Sequence, residues 1–296
     1  MKKALLVAAI ASIGLASVPA QAAVVASSYM SIENFLLIDQ GTGTVIDPGA
    51  INLQTDNRNG TLSASWNGPV SGISGTAGSG ATLDLSPFSV GTVPAGTYTG
   101  NNDDTTQIAL GAGNFSYADM FVSGSALAGG AAGLTRADSS ANDVYAIGDA
   151  NAEITNNLLA QLVFDLGTTK TLFFAYSFEA FARAILSADL LGTGSAADAS
   201  TNFSITLTGV GTLDSYSISA NAFDQAGFNS TTVTDSGLRT SSAVTLGPGT
   251  YQVLITQKSA ANIDSYPVPE PASLALLGIG LMGLGVLRKR ASSRIA

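Results

Sequence analysis

Apolar residues alternate with Ser, Thr, Gln and other polar residues along much of the chain: Leu62, Ala64 and Trp66; Phe203, Ile205 and Leu207; Tyr216 and Ile218; Val244 and Leu246; Tyr251, Val253 and Ile255. A two-residue period puts successive side chains on opposite faces of a strand, so each stretch reads as a strand with one buried face. Gly, Pro, Asn and Asp clusters separate them, at Asp56 to Gly60, Gly72 to Gly80, Pro94 to Gly96 and Gly247 to Gly249, and read as turns. Leu158 to Leu186 fits two periods: Phe174, Phe178, Phe181 and Ile185 recur at helical spacing, whereas Leu172, Phe174, Tyr176 and Phe178 alternate; buried strands are expected. Gly129 to Asn142 and Gly192 to Ser200 are rich in small and polar residues and read as long surface loops. The expectation is an all-β body over residues 23–266, an antiparallel β-sandwich of jelly-roll-like type, with no fixed-period repeat.

The two ends have a different texture. Lys2-Lys3, an apolar run from Ala4 to Ala16, Pro19 and then Ala20-Gln21-Ala22 form a signal-peptide pattern, with small residues Ala20 and Ala22 framing cleavage after Ala22. At the other end, Pro267-Val268-Pro269-Glu270-Pro271 precedes an uncharged stretch from Ala272 to Leu287, followed by Arg288-Lys289-Arg290. The prolines fix φ and lack donors, which keeps this strip extended. These sixteen mostly apolar residues make a helix about 24 Å long, marginally sufficient to cross a membrane. Arg288, Lys289 and Arg290 then hold the terminus on the cytoplasmic side, leaving the body on the far side. Three segments result: signal peptide 1–22, body 23–266 and tail 267–296.

Val268, Pro269, Glu270 and Pro271, the short apolar helix and the terminal basic cluster together resemble the PEP-CTERM sorting signal of Gram-negative bacteria. The resemblance covers about the last thirty residues. It implies that signal peptidase and a membrane-embedded exosortase process the chain, the latter near Pro269, Glu270 and Pro271, with membrane anchoring in transit. It also implies an extracellular, exopolysaccharide-rich destination, and a body in the periplasm, at the cell surface or in a biofilm matrix. About the chemistry of the body it implies nothing.

Composition narrows that chemistry. The chain has no Cys, so nothing can staple it by disulfides, and no His; together these exclude the common zinc sites, Cys-His nucleophiles and the usual Ser-His-Asp triad. Between Ala23 and Pro267 six basic residues face twenty acidic ones, a balance of −14, which disfavours nucleic acid as a partner. A G-x-G-x-x-G at Gly278, Gly280 and Gly283 lies inside the C-terminal apolar stretch and follows no strand, so it is read as helix packing and not as a dinucleotide site. Glu153 and Glu179 stand in no distinguishing context, and no catalytic constellation emerges; the body is read as a non-enzymatic structural or adhesive module. Polysaccharide binding is the alternative and a glycan-active enzyme the more distant one. Trp66, Tyr98, Tyr117 and Tyr145 could stack on sugar rings if they shared an exposed face, and otherwise fill the core. No cofactor is required. Ca²⁺ on Asp103, Asp104, Asp138, Asp143 and Asp149 is weighed, but no EF-hand spacing supports it, and solvated loops are the preferred reading.

Overall fold

A computed structural model of the protein describes residues 23–266 apart from 79–80, 99–100, 103–106, 128, 143–144, 164–167, 191–192 and 224–229. The strands are β1 Ala23–Asp39, β2 Thr44–Val45, β3 Ile51–Trp66, β4 Ser71–Ala77, β5 Leu83–Thr92, β6 Asn114–Ser125 and β7 Gly129–Asn142. They continue as β8 Ala146–Leu162, β9 Lys170–Leu186, β10 Ala196–Leu207, β11 Gly211–Phe223, β12 Ser230–Thr240, β13 Val244–Leu246 and β14 Gly249–Ser265. One sheet runs β12-β9-β1-β7-β6-β5, with β13 on β9 and β2 on β1; the other runs β11-β10-β14-β8-β3-β4. All pairings are antiparallel, and the two sheets pack as a sandwich, as the alternating pattern predicts.

The interior has two textures. At one end lie large side chains: Phe35, Phe174, Tyr176, Phe178 and Phe203, with Leu158, Leu172 and Ile205. Phe35 packs on Phe174, Tyr176 and Phe203 at ring separations of 5.1, 5.3 and 6.4 Å. At the other end the core is mostly alanine: Ala26, Ala137, Ala141, Ala150, Ala182, Ala184, Ala199, Ala220 and Ala261 face one another with Val24, Leu186 and Ile263. There the sheets come close enough for side chains to bond across. Ser28 Oγ of β1 donates to the Ala260 carbonyl of β14 (2.9 Å), and Ser139 Oγ of β7 donates to the Ala261 carbonyl (3.2 Å). Ser259 Oγ of β14 donates back to the Thr135 carbonyl (3.0 Å), and Gln257 Nε2 donates to the Met30 carbonyl (2.7 Å). A hydroxyl on a single carbon can make such a bond only where the layers are closer than the usual spacing of about 10 Å.

Four readings of the sequence are corrected by the strands. Gly129–Asn142 is not a surface loop but β7, between β1 and β6, with Arg136 to Ala141 buried. Its small residues are those the close approach demands. The stretch from Gly192 to Ser200 likewise gives way to β10 at Ala196, with Ala197 and Ala199 in the alanine layer. Asp56 to Gly60 lies inside β3 and not in a turn, and Gly72 and Gly75 lie inside β4. Asp56 and Arg58 point inward, fully buried, joined at 2.8 Å; Arg58 also donates to the carbonyls of Ala81 and Gly124. The ion pair thereby ties β3 to the chain preceding β5 and to the end of β6.

Two outcomes follow from this packing. Ala261→Leu adds volume where the facing layer cannot recede, and should cost about 1–3 kcal/mol in urea unfolding. Asp56→Ala strands a buried guanidinium and should cost about 3–5 kcal/mol, whereas the Asp56→Leu, Arg58→Met double variant, with no charge left to strand, should recover most of that loss. A double variant as unstable as the single one would remove the stranded charge as the cause.

Candidate functional site

The outward face of the first sheet carries charged side chains and a polar concavity. On β1, the run Ile32-Glu33-Asn34-Phe35 contains a β-bulge: the register on β7 jumps between Ile32 and Phe35, and that on β9 between Glu33 and Leu36. Asn34 takes φ = 53°, a left-handed conformation that Asn tolerates better than most residues. Its Nδ2 donates to Ser177 Oγ at 3.4 Å, and Ser177 Oγ donates to the Glu33 carbonyl at 3.1 Å. The bulge and the neighbouring strand shape a polar groove of about 180 Å³, lined by Tyr29, Ser31, Glu33, Ser177, Phe178 and Glu179. The exposed carboxylates of Glu33 and Glu179 and the hydroxyls of Ser31 and Ser177 share this lining with Tyr29, which is buried and packs on Phe181 at 5.2 Å. The groove therefore offers hydrogen-bond acceptors and donors beside an aromatic ring, with a negative field. By contrast, two cavities between the sheets measure about 30 and 40 Å³ and have largely apolar linings.

Further along the same face, the chain between β5 and β6 folds back over the sheet. Arg183 Nη1 donates to the Ile108 carbonyl at 2.9 Å, and Ile108 is buried with Val25, Phe115 and Tyr117. Tyr98 stacks on Tyr117 with centroids 3.8 Å apart, and the Arg136 guanidinium lies 5.0 Å from the Tyr98 ring centroid. Arg136 Nε donates to Asp138 at 2.6 Å; the Tyr98 hydroxyl and Ser27 Oγ donate to the same carboxylate. Burial, reinforced by the neighbouring Asp138 and Asp119 carboxylates respectively, holds the Tyr98 and Tyr117 hydroxyls protonated far above the usual phenol range. Asp119, opposite Arg136 in register, accepts the Asn102 backbone N–H at 2.7 Å and the Tyr117 hydroxyl at 3.2 Å. Burial raises its proton affinity, and those two hydrogen bonds oppose the rise.

The four aromatic residues singled out from the sequence do not form one sugar platform. Tyr98 and Tyr117 occupy each other's faces in the cluster just described, Trp66 packs against the alanine core, and Tyr145 is 52% exposed at one end of the body. The acidic residues weighed for Ca²⁺ are not gathered either. Asp138 is committed to Arg136, Tyr98 and Ser27, and Asp149 lies on β8 of the other sheet; Asp103, Asp104 and Asp143 lie outside the described residues. Glu179, without context in the sequence, gains it from Ser31, its partner across the β1–β9 ladder, and from Glu33 beside it. The one local signal for the groove was the polar pair Glu33-Asn34 interrupting an apolar run.

The alanine-rich end is where the tail departs. β1 begins there, with Ala23 opposite Asn142 of β7, and β14 finishes there, with Ser265 opposite Ala146 of β8. Tyr266, anchored by its N–H on Ser195 Oγ at 3.1 Å, packs edge-on against Tyr145 at 5.6 Å. Ala20, Ala22, Val268, Pro269, Glu270, Pro271, Arg288, Lys289 and Arg290 lie outside the described residues.

Residues 267–290 match the model of the PEP-CTERM protein-sorting motif. No curated protein and no solved structure matches the chain. The motif takes in Val268 to Pro271, the apolar stretch and the basic cluster, and it marks the chain as an exported protein that is anchored in a membrane and processed by an exosortase.

The bulge makes its own prediction. Asn34→Gly should leave stability within about 0.5 kcal/mol, while Asn34→Val, a β-branched residue at positive φ, should cost about 1–3 kcal/mol. Equal losses in both variants, measured by urea unfolding, would mean that the Asn34 side chain and not the backbone conformation holds the bulge.

Proposed function

We propose that the body is a structural and adhesive component of the extracellular polysaccharide matrix or envelope, delivered there by the sorting tail, and not an enzyme. The observation that carries the reading is the position of the chain ends. Ala23 and Tyr266 emerge at one end of the sandwich, and the sorting motif begins at the next residue. Five residues, Pro267 to Pro271, separate Tyr266 from the apolar stretch that starts at Ala272, a tether that reaches at most about 22 Å over its six residue steps. A signal peptide on Ala22 would leave from the same end. During transit the body then hangs from the membrane by its alanine-rich end, with the sheet faces and the opposite end directed away.

Sugar binding is the second reading, and the groove favours it: hydroxyls and carboxylates beside an aromatic ring are the groups that recognise a polyol. The same pair, Glu33 and Glu179, is where hydrolysis would have to occur if this body acted on glycans.

Two measurements separate these readings. Glu270→Ala should leave the tail in place, read as an intact mass that includes residues 272–296, while the wild type loses it in cells with the exosortase; a tail kept in both would reduce the chain to a membrane-anchored protein. Exopolysaccharide pull-down of the Glu33→Gln, Glu179→Gln double variant should fall several-fold if the groove binds glycan. Unchanged retention would leave adhesion to the remaining surface, and wild-type release of reducing ends that is lost in the variant would make the protein an enzyme.

A further inference from the structure

We propose that Asp84, Asn102 and Asp119 form a divalent-cation site, selective for Ca²⁺, that fastens the chain between β5 and β6 onto the outer face of the first sheet. Asn102 stands between two carboxylates: its backbone N–H donates to Asp119 Oδ2 at 2.7 Å, and its Nδ2 reaches Asp84 Oδ2 at 3.3 Å. Asn101 Nδ2 holds the same Asp84 carboxylate at 3.0 and 3.1 Å. Two oxygens remain buried with no hydrogen-bond donor, Asp119 Oδ1 and Asn102 Oδ1, and the Asp119 side chain is wholly inaccessible to solvent.

A buried carboxylate oxygen without a donor costs free energy that native proteins rarely leave uncompensated. The amide cannot relieve it by rotating, because that would turn Asn102 Oδ1 toward the Asp84 carboxylate. Arg136, the cation opposite Asp119 in register, has its Nε on Asp138. An oxygen-seeking cation meets the need at both oxygens and draws on Asp84, which is exposed and keeps lone pairs beyond those the asparagines use.

The donor set selects among metals. All three donors are oxygens on flexible side chains, and the chain has no His or Cys, so zinc is not favoured. Mg²⁺ demands a tight octahedron and dehydrates reluctantly, whereas Ca²⁺ accepts an irregular shell completed by water. Three protein donors suit the weak affinities of extracellular modules, about 10⁻⁴ to 10⁻³ M. The site would therefore fill outside the cell and empty in the cytoplasm.

The test uses the full chain in detergent micelles, stripped with EDTA and titrated with CaCl₂ or MgCl₂. The melting temperature should rise by about 2–9 °C at 5 mM Ca²⁺, with little response to Mg²⁺. Asp119→Asn and, separately, the exposed Asp84→Asn should each remove most of that rise while melting cooperatively; if Asp119→Asn fails to fold, Asp84→Asn decides. No rise in the wild type, a rise fully retained in Asp84→Asn, or an equal rise with Mg²⁺ would overturn the assignment, the second by placing Ca²⁺ elsewhere on the acidic surface.

Discussion

Hydroxyls that cross from one sheet to the backbone of the other set the limits within which this body is built. Ser28, Ser139 and Ser259 each reach a carbonyl of the facing layer. Close layers leave little room for large side chains beside those bonds, and most buried positions there on β1, β7, β9, β10, β11 and β14 are alanines, with Val24, Leu186 and Ile263 among them. Alanine loses no side-chain entropy on burial, which offsets part of the small hydrophobic gain from each one. The bulky side chains are displaced to the far end, where Phe35, Phe174, Tyr176 and Phe203 supply most of the apolar burial. In a chain without Cys, packing and these cross-layer bonds take the place of disulfides.

The same constraint accounts for what the sequence revealed and what it hid. Strands with a large apolar residue at every second position, such as Phe203, Ile205 and Leu207, were legible because period and burial agree. β7 was not. Gly, Ala, Ser and Asn are the composition of an exposed loop and equally of a strand pressed against a close neighbour, and only the partner strands distinguish them. Asp56 to Gly60 misled for the opposite reason: a turn-like run is held straight because Asp56 neutralises Arg58 in the interior. The sorting motif was legible, being a linear signal whose parts are contiguous. The groove could not be, since Glu33 and Ser177 lie 144 residues apart and meet only through the β1–β9 ladder.

On one side of the sandwich, two sheet edges are joined by polar contacts. β11 and β12, the edges of opposite sheets, are joined where Arg239 donates to Asp214 at 3.2 Å and Tyr216 donates to Asp235 at 3.0 Å. Arg239 lies over the Tyr216 ring at 4.9 Å, and the Tyr176 hydroxyl completes the group on Asp214 at 2.6 Å. Open edges invite strand addition by other chains. Tying two edges to each other blunts that tendency on one side of the sandwich.

The two ends of the body also differ in what they carry. The thin end carries Ala23, Tyr266 and the start of the sorting motif. Its alanine layer has no room for a ligand, and Tyr145 and Tyr266 present the exposed aromatic surface nearest the tail. The bulge at Glu33-Asn34 lies toward the other end of β1, past the point where the core changes from alanine to phenylalanine, and the groove opens on the outer face there. A cut near Pro269 to Pro271 would therefore alter the thin end alone. The groove and the folded-back chain on Asp119 are held by contacts within the sandwich, so they would keep the same form while the body is tethered and after it is released.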